Sequence, residues 1–199
     1  MLKQDTLNTI QRKLKPFVYS FVAIVVLLFV QFLFYSVESI FAYTVGILLT
    51  YQLLRYGNTQ NKKVNQRVSH RQQWGAFLLG CFILLCAIIA TTLWTGNSPI
   101  LHAYRFTPIA HMIYIICLAP IGEEVIYRQM LYKDAFAHKW IGRVVSGTLF
   151  IAIHTPTTLP SLTFYIIATI GLFVAYEKSG NNLWVAIAVH SLNNAMAFI

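Results

Sequence analysis

Residues 74–94 read WGAFLLGCFILLCAIIATTLW and contain no charged side chain. A helix needs about 20 predominantly apolar residues to cross the hydrocarbon core of a bilayer, and this run is long enough. The whole composition agrees, because 57% of the 199 residues are hydrophobic and 11% are charged, whereas about a quarter of the residues of a soluble domain are charged. The sequence therefore predicts a membrane protein.

Further apolar runs follow along the chain, separated by short polar segments. They predict an all-α fold, a polytopic transmembrane helix bundle of about seven helices. The second, fifth and sixth runs are short, and we expect them to tilt or to be shielded inside the bundle. The candidate spans are Phe17–Tyr35, Ile40–Leu54, Trp74–Trp94, Thr107–Tyr132, Ile141–His154, Ser161–Tyr176 and Leu183–Ile199.

The domain organisation predicted from this pattern is simple. Residues 1–15 form a basic amphipathic arm, which we expect to lie on the cytoplasmic membrane surface. Residues 16–199 form one transmembrane helical domain, and no internal repeat is visible.

The placement of the basic residues predicts the topology. The formal net charge is +9, and the Lys and Arg residues cluster in the N-terminal arm, in 55–71, in 133–143 and at Lys178. By the positive-inside rule these segments are cytoplasmic, which puts the N-terminus inside and the C-terminus outside the cell membrane. A nucleic-acid-binding protein would carry such charges on one folded face, so we expect the lipid bilayer as a partner and no nucleic acid.

Six of the polar residues within the apolar runs of the C-terminal half form a candidate site. Ionisable groups inside a membrane segment are costly and usually functional. Glu124 and Arg128, four residues apart, share a helix face and can pair, whereas Glu123 projects about 100° away. His190 and Asn194 have the same four-residue spacing, and His154 ends the fifth run. The six are Glu123, Glu124, Arg128, His154, His190 and Asn194.

These residues are predicted to meet at a similar depth. At ~1.5 Å per residue, Glu123 lies roughly 15 Å from Lys133, and His154 roughly 16 Å from Arg143. His190 lies roughly 10–12 Å from the preceding loop. Because the three helices alternate in direction, their polar groups come to one level of the membrane.

The residue types favour hydrolysis without a protein nucleophile. Two adjacent carboxylates in a low dielectric cannot both ionise easily. Arg128 can hold Glu124 charged, which leaves Glu123, beside a histidine, to act as general base on water. His and Asn side chains can stabilise the oxyanion of a tetrahedral intermediate. The alternative is structural, since a buried ion pair can fix packing and a membrane histidine can link two helices.

The motifs resemble those of the CAAX-protease and bacteriocin-processing family of intramembrane proteases (CPBP, or Abi). The family pattern is E-E-x-x-x-R, then F-x-x-x-H, then H-x-x-x-N. Here it reads Glu123-Glu124-x-x-x-Arg128, Phe150-x-x-x-His154 and His190-x-x-x-Asn194, within residues 107–199. The residue after the motif arginine is commonly Gly in the family and is Gln129 here.

The resemblance implies an intramembrane endopeptidase that cleaves peptide or membrane-protein substrates. It implies that Glu123 and His154 activate water, that His190 and Asn194 stabilise the oxyanion, and that Glu124 and Arg128 shape and charge-balance the site. Roles in bacteriocin self-immunity or peptide processing are typical of the bacterial members.

The cofactor stays open at this point. Glu123, His154 and His190 are side-chain types that bind Zn²⁺, but no H-E-x-x-H motif occurs, so the residues allow either zinc or no metal.

Two other functions compete with the protease. One is a non-catalytic membrane immunity or interaction protein, and the other is a small transporter, which the lack of a repeat disfavours.

Overall fold

The computed structural model describes residues 4–36, 40–61, 68–96 and 109–198. Within these ranges the chain folds as seven helices and no strand, which confirms the predicted all-α helical bundle. The helices are α1 (Gln4–Ser36), α2 (Ile40–Asn61), α3 (His70–Thr95), α4 (residues 109–135), α5 (Trp140–Ile153), α6 (Leu159–Lys178) and α7 (Leu183–Ala195), which ends in a 3₁₀ turn at Met196–Phe198.

Helix α1 joins the predicted N-terminal arm to the first predicted span. It runs through Pro16 without a break, although proline lacks the N–H that would continue the helical ladder. The Ser20 hydroxyl donates to the Pro16 carbonyl over 2.8 Å. Residues 15 and 16 therefore mark no helix boundary, and the surface position of residues 1–15 stays a prediction.

Two helices of the described ranges have the length and composition to cross a membrane. They are α3, with mean hydropathy 2.6, and α6, with mean hydropathy 1.8. The face of α3 that points away from the bundle exposes large apolar side chains, with Leu78 and Phe82 each 62% exposed and Leu93 81% exposed. Soluble proteins rarely expose apolar surface so continuously, so this face is suited to contact with lipid.

Glycines let α3, α6 and α7 pack closely. A Cβ atom on Gly80 of α3 would lie 2.9 Å from the Ala175 Cβ of α6 and 3.2 Å from Val189 of α7. Opposite, a Cβ on Gly171 would lie 3.5 Å from the Gly80 carbonyl oxygen. Small residues at such crossings bring helix backbones together in membrane proteins. The resulting three-helix unit fixes α7 at Val189, the residue before His190.

Helix α4 is central and irregular. It is α-helical at Ile109–Ile113 and Ala119–Glu124, and it widens to π-helical turns at Tyr114–Leu118 and Val125–Ala135. It packs against α1, α2, α5 and α7. Short π-helical insertions inside α-helices often occur at functional sites, and here the two wide segments flank the Glu123–Glu124 pair.

The close packing at Gly80 predicts the effect of a larger side chain. Gly80→Leu should force α3 away from α6 and α7, because the new Cβ alone meets Ala175 at 2.9 Å. Overpacking of this kind typically costs about 1–3 kcal/mol or more. Gly75→Leu is the matched control on the same helix, since a Cβ added there would meet nothing within 4 Å. Thermal unfolding in detergent measures both, and equal midpoints for the two variants would contradict the packing.

Candidate active site

The most buried part of the site is the ion pair of Glu124 and Arg128, and a histidine also contacts its carboxylate. The Nε atom of Arg128 lies 3.1 Å from Glu124 Oε2, and both side chains are fully buried. The other carboxylate oxygen of Glu124, Oε1, lies 2.9 Å from Nδ1 of His190. Glu124 therefore joins the arginine of its own helix, α4, to the histidine of α7.

Aromatic rings enclose the guanidinium of Arg128. Its central carbon lies 4.6 Å from the ring centroid of Phe150 on α5 and 4.9 Å from that of Phe173 on α6. A cation over an aromatic face is stabilised by ~2 kcal/mol or more once it is desolvated. The arginine thus contacts α5 and α6 through these rings as well as Glu124 through charge, which makes it a junction of three helices.

Glu123, His154 and His190 converge from three helices. The Oε2 atom of Glu123 lies 3.9 Å from Nε2 of His154 and 3.7 Å from Nε2 of His190. Both distances exceed that of a direct hydrogen bond. A water molecule that contacts Glu123 and an imidazole together fits the 3.9 Å gap, because two hydrogen bonds of ~2.8 Å span it when they meet at an angle.

The hydrogen-bond partners of the two histidines determine which ring nitrogen of each one carries the hydrogen. The Nδ1 atom of His154 lies 2.7 Å from the carbonyl oxygen of Phe150, and a carbonyl can only accept, so Nδ1 carries a hydrogen and donates. An ionised Glu124 likewise accepts from Nδ1 of His190. In each neutral imidazole the unprotonated nitrogen is then Nε2. Both imidazoles therefore present an acceptor nitrogen towards Glu123.

Exposure differs across this group. The side chain of His154 is 22% exposed, whereas Glu123 is 5% and His190 4% exposed. The ring of Tyr165 lies 4.7 Å from that of His154. The site is therefore accessible on the His154 side and closed around Glu124 and Arg128.

Asn194 contacts the backbone of α4 through its side-chain amide. In the wide turn at Tyr114–Leu118, the Ala119 N–H bonds to the Tyr114 carbonyl, and Pro120 has no N–H to offer Ile115. The Ile115 carbonyl instead accepts from Nδ2 of Asn194 over 2.9 Å. Asn194 thus fastens α7 to α4 near the site, while its predicted part in stabilising an oxyanion stays a prediction.

The side-chain types at the site are ones that zinc accepts as ligands. Among the described residues, however, no three His, Cys, Asp or Glu side chains are placed to hold a metal ion together. A water molecule can donate one hydrogen to Glu123 Oε2 and the other to the Nε2 atom of one imidazole, which needs only hydrogen-bonding distances and no fixed coordination geometry.

Three features of the site go beyond the sequence pattern. The stacking of Phe150 and Phe173 on Arg128 depends on tertiary contacts between α4, α5 and α6, although Phe150 already stands in the F-x-x-x-H motif. The orphaned carbonyl of Ile115 has a local signal in Pro120, five residues later. Gln129, where the family commonly has Gly, is 1% exposed. Its side-chain amide donates to Asp134 over 3.0 Å, so Gln129 contacts the C-terminal end of α4 and not the histidines.

Comparison with known proteins gives a family match and a curated relative, both in the C-terminal half or over a similar length of the chain. Residues 105–196 match the family model described as "Type II CAAX prenyl endopeptidase Rce1-like". The UPF0177 protein YbdI of Lactococcus lactis subsp. lactis is 32% identical over 89 residues, which are 44% of this chain and 46% of the relative. The match thus spans about half the length of that relative. No solved structure matches. The resemblance to the CAAX-protease family that the three motifs predict is therefore confirmed for the C-terminal half of the chain.

Proposed function

We propose that this protein is an intramembrane endopeptidase of the CAAX-protease type that hydrolyses peptide bonds with a water activated by Glu123 and His154. The observation that carries the proposal is the convergence of His154 and His190 on Glu123, whose Oε2 atom lies within 3.9 Å of Nε2 of both imidazoles. The similarity of residues 105–196 to prenyl endopeptidases supports the same reaction class.

The attack begins with a water bound between Glu123 Oε2 and His154 Nε2. As its oxygen bonds to the scissile carbonyl carbon, its proton passes to Glu123, and the carbonyl oxygen becomes an oxyanion. His190 can donate a hydrogen bond to that oxyanion from Nε2 in its imidazolium form, which takes its extra proton from solvent before the attack and keeps it through the cycle, with Glu124 stabilising the imidazolium from the Nδ1 side. Asn194 is proposed as a second donor, through the Nδ2 hydrogen that does not bond to Ile115.

The intermediate then collapses and the carbonyl re-forms. The bond from carbon to the amide nitrogen breaks, and the leaving amine takes the proton held by Glu123. The products are one carboxylic acid, which keeps the second water proton, and one amine; transfer of that proton to the amine gives carboxylate and ammonium, and Glu123 returns to its ionised form. Glu124 and Arg128 exchange no proton in this cycle and act through position and charge.

We propose peptides or membrane proteins as the substrates, with bacteriocin self-immunity or peptide processing as the physiological role. The site lies among apolar helices whose outer faces suit lipid, so a substrate must reach it within or beside a bilayer. A comparison of the membrane-associated peptides of wild-type and Glu123→Gln cells by mass spectrometry identifies the substrate as an intact precursor that accumulates in the variant.

The shared water predicts that losses at Glu123 and His154 do not add. Residues that act on one reacting group as a unit are strongly non-additive. Glu123→Gln, His154→Ala and the double variant should all lose activity to nearly the same low level, measured as cleavage of the precursor with and without a metal chelator.

Glu177→Gln provides the control for loss of a carboxylate elsewhere. Glu177 pairs with Arg143 over 2.7 Å at a more exposed position, where such pairs contribute only ~0–1 kcal/mol, so activity should persist. Near-wild-type cleavage by a folded Glu123→Gln protein would refute the proposed chemistry and favour a non-catalytic membrane immunity protein. Loss of wild-type cleavage in the presence of the chelator would show that a metal ion takes part.

The stacking of Arg128 predicts a graded response at this position. Arg128→Ala leaves the buried Glu124 without its cation, which typically costs about 3–5 kcal/mol and should lower the amount of folded protein in the membrane. Arg128→Lys restores a charge but not the planar group between Phe150 and Phe173, so it should fall between wild type and Ala. Quantitative blotting and cleavage measure the two effects, and a fully stable but inactive Arg128→Ala would instead place the arginine among the reacting groups.

The multi-pass topology is proposed with the N-terminus in the cytoplasm and the C-terminus outside. The basic segments between α2 and α3 and between α4 and α5 support it. Reporter fusions at Asn61 and Lys139 should read cytoplasmic, and a fusion at Asn97 should read external. An external signal at Asn61 would reverse the proposed arrangement.

A further inference from the structure

An apolar cavity lies between α1, α2 and α4, on the side of α4 away from the histidines. Its volume is about 330 Å³, at the lower end of the ~300–1,000 Å³ typical of ligand pockets. Most of its lining is apolar, and its aliphatic residues include Ala23, Val26, Leu49, Leu53 and Leu118. Nothing in the proposed peptidase chemistry uses this cavity.

A smaller cavity of about 210 Å³ adjoins the apolar one and has charged side chains in its lining. Tyr19, Tyr56 and Met130 line both cavities, so the two meet at these side chains. The smaller cavity adds two basic residues from α1, Arg12 and Lys15, both of which are exposed.

The charge at this mouth is positive. Its acidic residue, Asp134, already accepts hydrogen bonds from the Tyr56 hydroxyl and from the side-chain amide of Gln129. Arg12 and Lys15 together outweigh that one carboxylate. The two cavities therefore form a site with an apolar interior and a cationic entrance.

The arrangement along α1 suits an amphiphile that enters from the membrane surface. Between Tyr19 and Val26 the apolar cavity follows α1 for roughly 10 Å, and Arg12 lies roughly 10 Å beyond Tyr19 in the other direction. An acyl chain needs a channel that is mostly apolar, as this lining is apart from Thr50, Gln52 and the tyrosine hydroxyls, whereas a phosphodiester headgroup needs cations. A zwitterionic lipid supplies the chain without the net charge.

We propose that this composite site binds one anionic glycerophospholipid, with an acyl chain between α1, α2 and α4 and the headgroup phosphate at Arg12 and Lys15. The bound chain would support α4 at Gly122, which lines the cavity and precedes Glu123. The proposal is independent of peptidase activity, because its test measures lipid binding alone.

The test uses the full chain, purified in detergent, with phosphatidylglycerol and phosphatidylcholine of identical acyl chains as the probes. Native mass spectrometry measures how much of each lipid stays bound. The wild-type protein should retain one phosphatidylglycerol about 25-fold more tightly than phosphatidylcholine, since each of two basic residues contributes about fivefold.

Two pairs of variants separate the chain site from the headgroup site. Val26→Trp should fill the cavity and abolish retention of both lipids, whereas Val25→Trp, at the neighbouring position that is 49% exposed, should not. The double variant Arg12→Gln and Lys15→Gln should bind both lipids equally, whereas Lys13→Gln, which lies outside the mouth, should keep the preference. Circular dichroism confirms that each variant is folded.

Three outcomes would overturn the proposal. One is equal retention of the two lipids by the wild-type protein. Another is undiminished phosphatidylglycerol binding by a folded Val26→Trp protein. The third is a preference that survives the loss of both Arg12 and Lys15, which would place the headgroup elsewhere.

Discussion

The buried ion pair of Glu124 and Arg128 is the interaction on which the rest of the site depends. Burial of either charge alone costs several kcal/mol, so each requires the other. The pair also determines what surrounds it: Phe150 and Phe173 stack on the guanidinium, and His190 uses the remaining carboxylate oxygen. One charged pair thus fixes α5, α6 and α7 against α4.

The irregular turns of α4 also create a polar group that another helix must pair, the backbone carbonyl of Ile115. Proline at 120 and the wide turn before it leave the Ile115 carbonyl without a partner inside its own helix. In an apolar bundle such a group must find a donor from another helix, and Asn194 supplies it. Because His190 and Asn194 are one turn apart, α7 is held to α4 at two successive levels.

The sequence predicts features that depend on residues near each other in the chain better than features that depend on residues far apart in it. The helical class follows from apolar runs, and the Glu124–Arg128 pair follows from a four-residue spacing, both of which are local. The passage of α1 through Pro16 and the extension of α2 to Asn61 run against local signals, since a proline and a polar stretch favour helix ends. The π-helical turns of α4 and the two stacked rings depend on contacts between helices distant in the chain, which periodicity does not encode.

A purely structural role would account for only part of the arrangement. Packing needs the Glu124–Arg128 pair, which is already balanced in charge. It does not need Glu123, a second buried carboxylate that faces the Nε2 atoms of two imidazoles at 3.7 and 3.9 Å. With Nδ1 of both rings engaged elsewhere, neutral imidazoles and an ionised carboxylate present only acceptors to one another, and acceptors at this distance repel unless a hydrogen lies between them. A water molecule that donates one hydrogen to Glu123 and the other to one Nε2 atom relieves the repulsion between that pair, and a peptidase that works by activated water requires the same species in the same place.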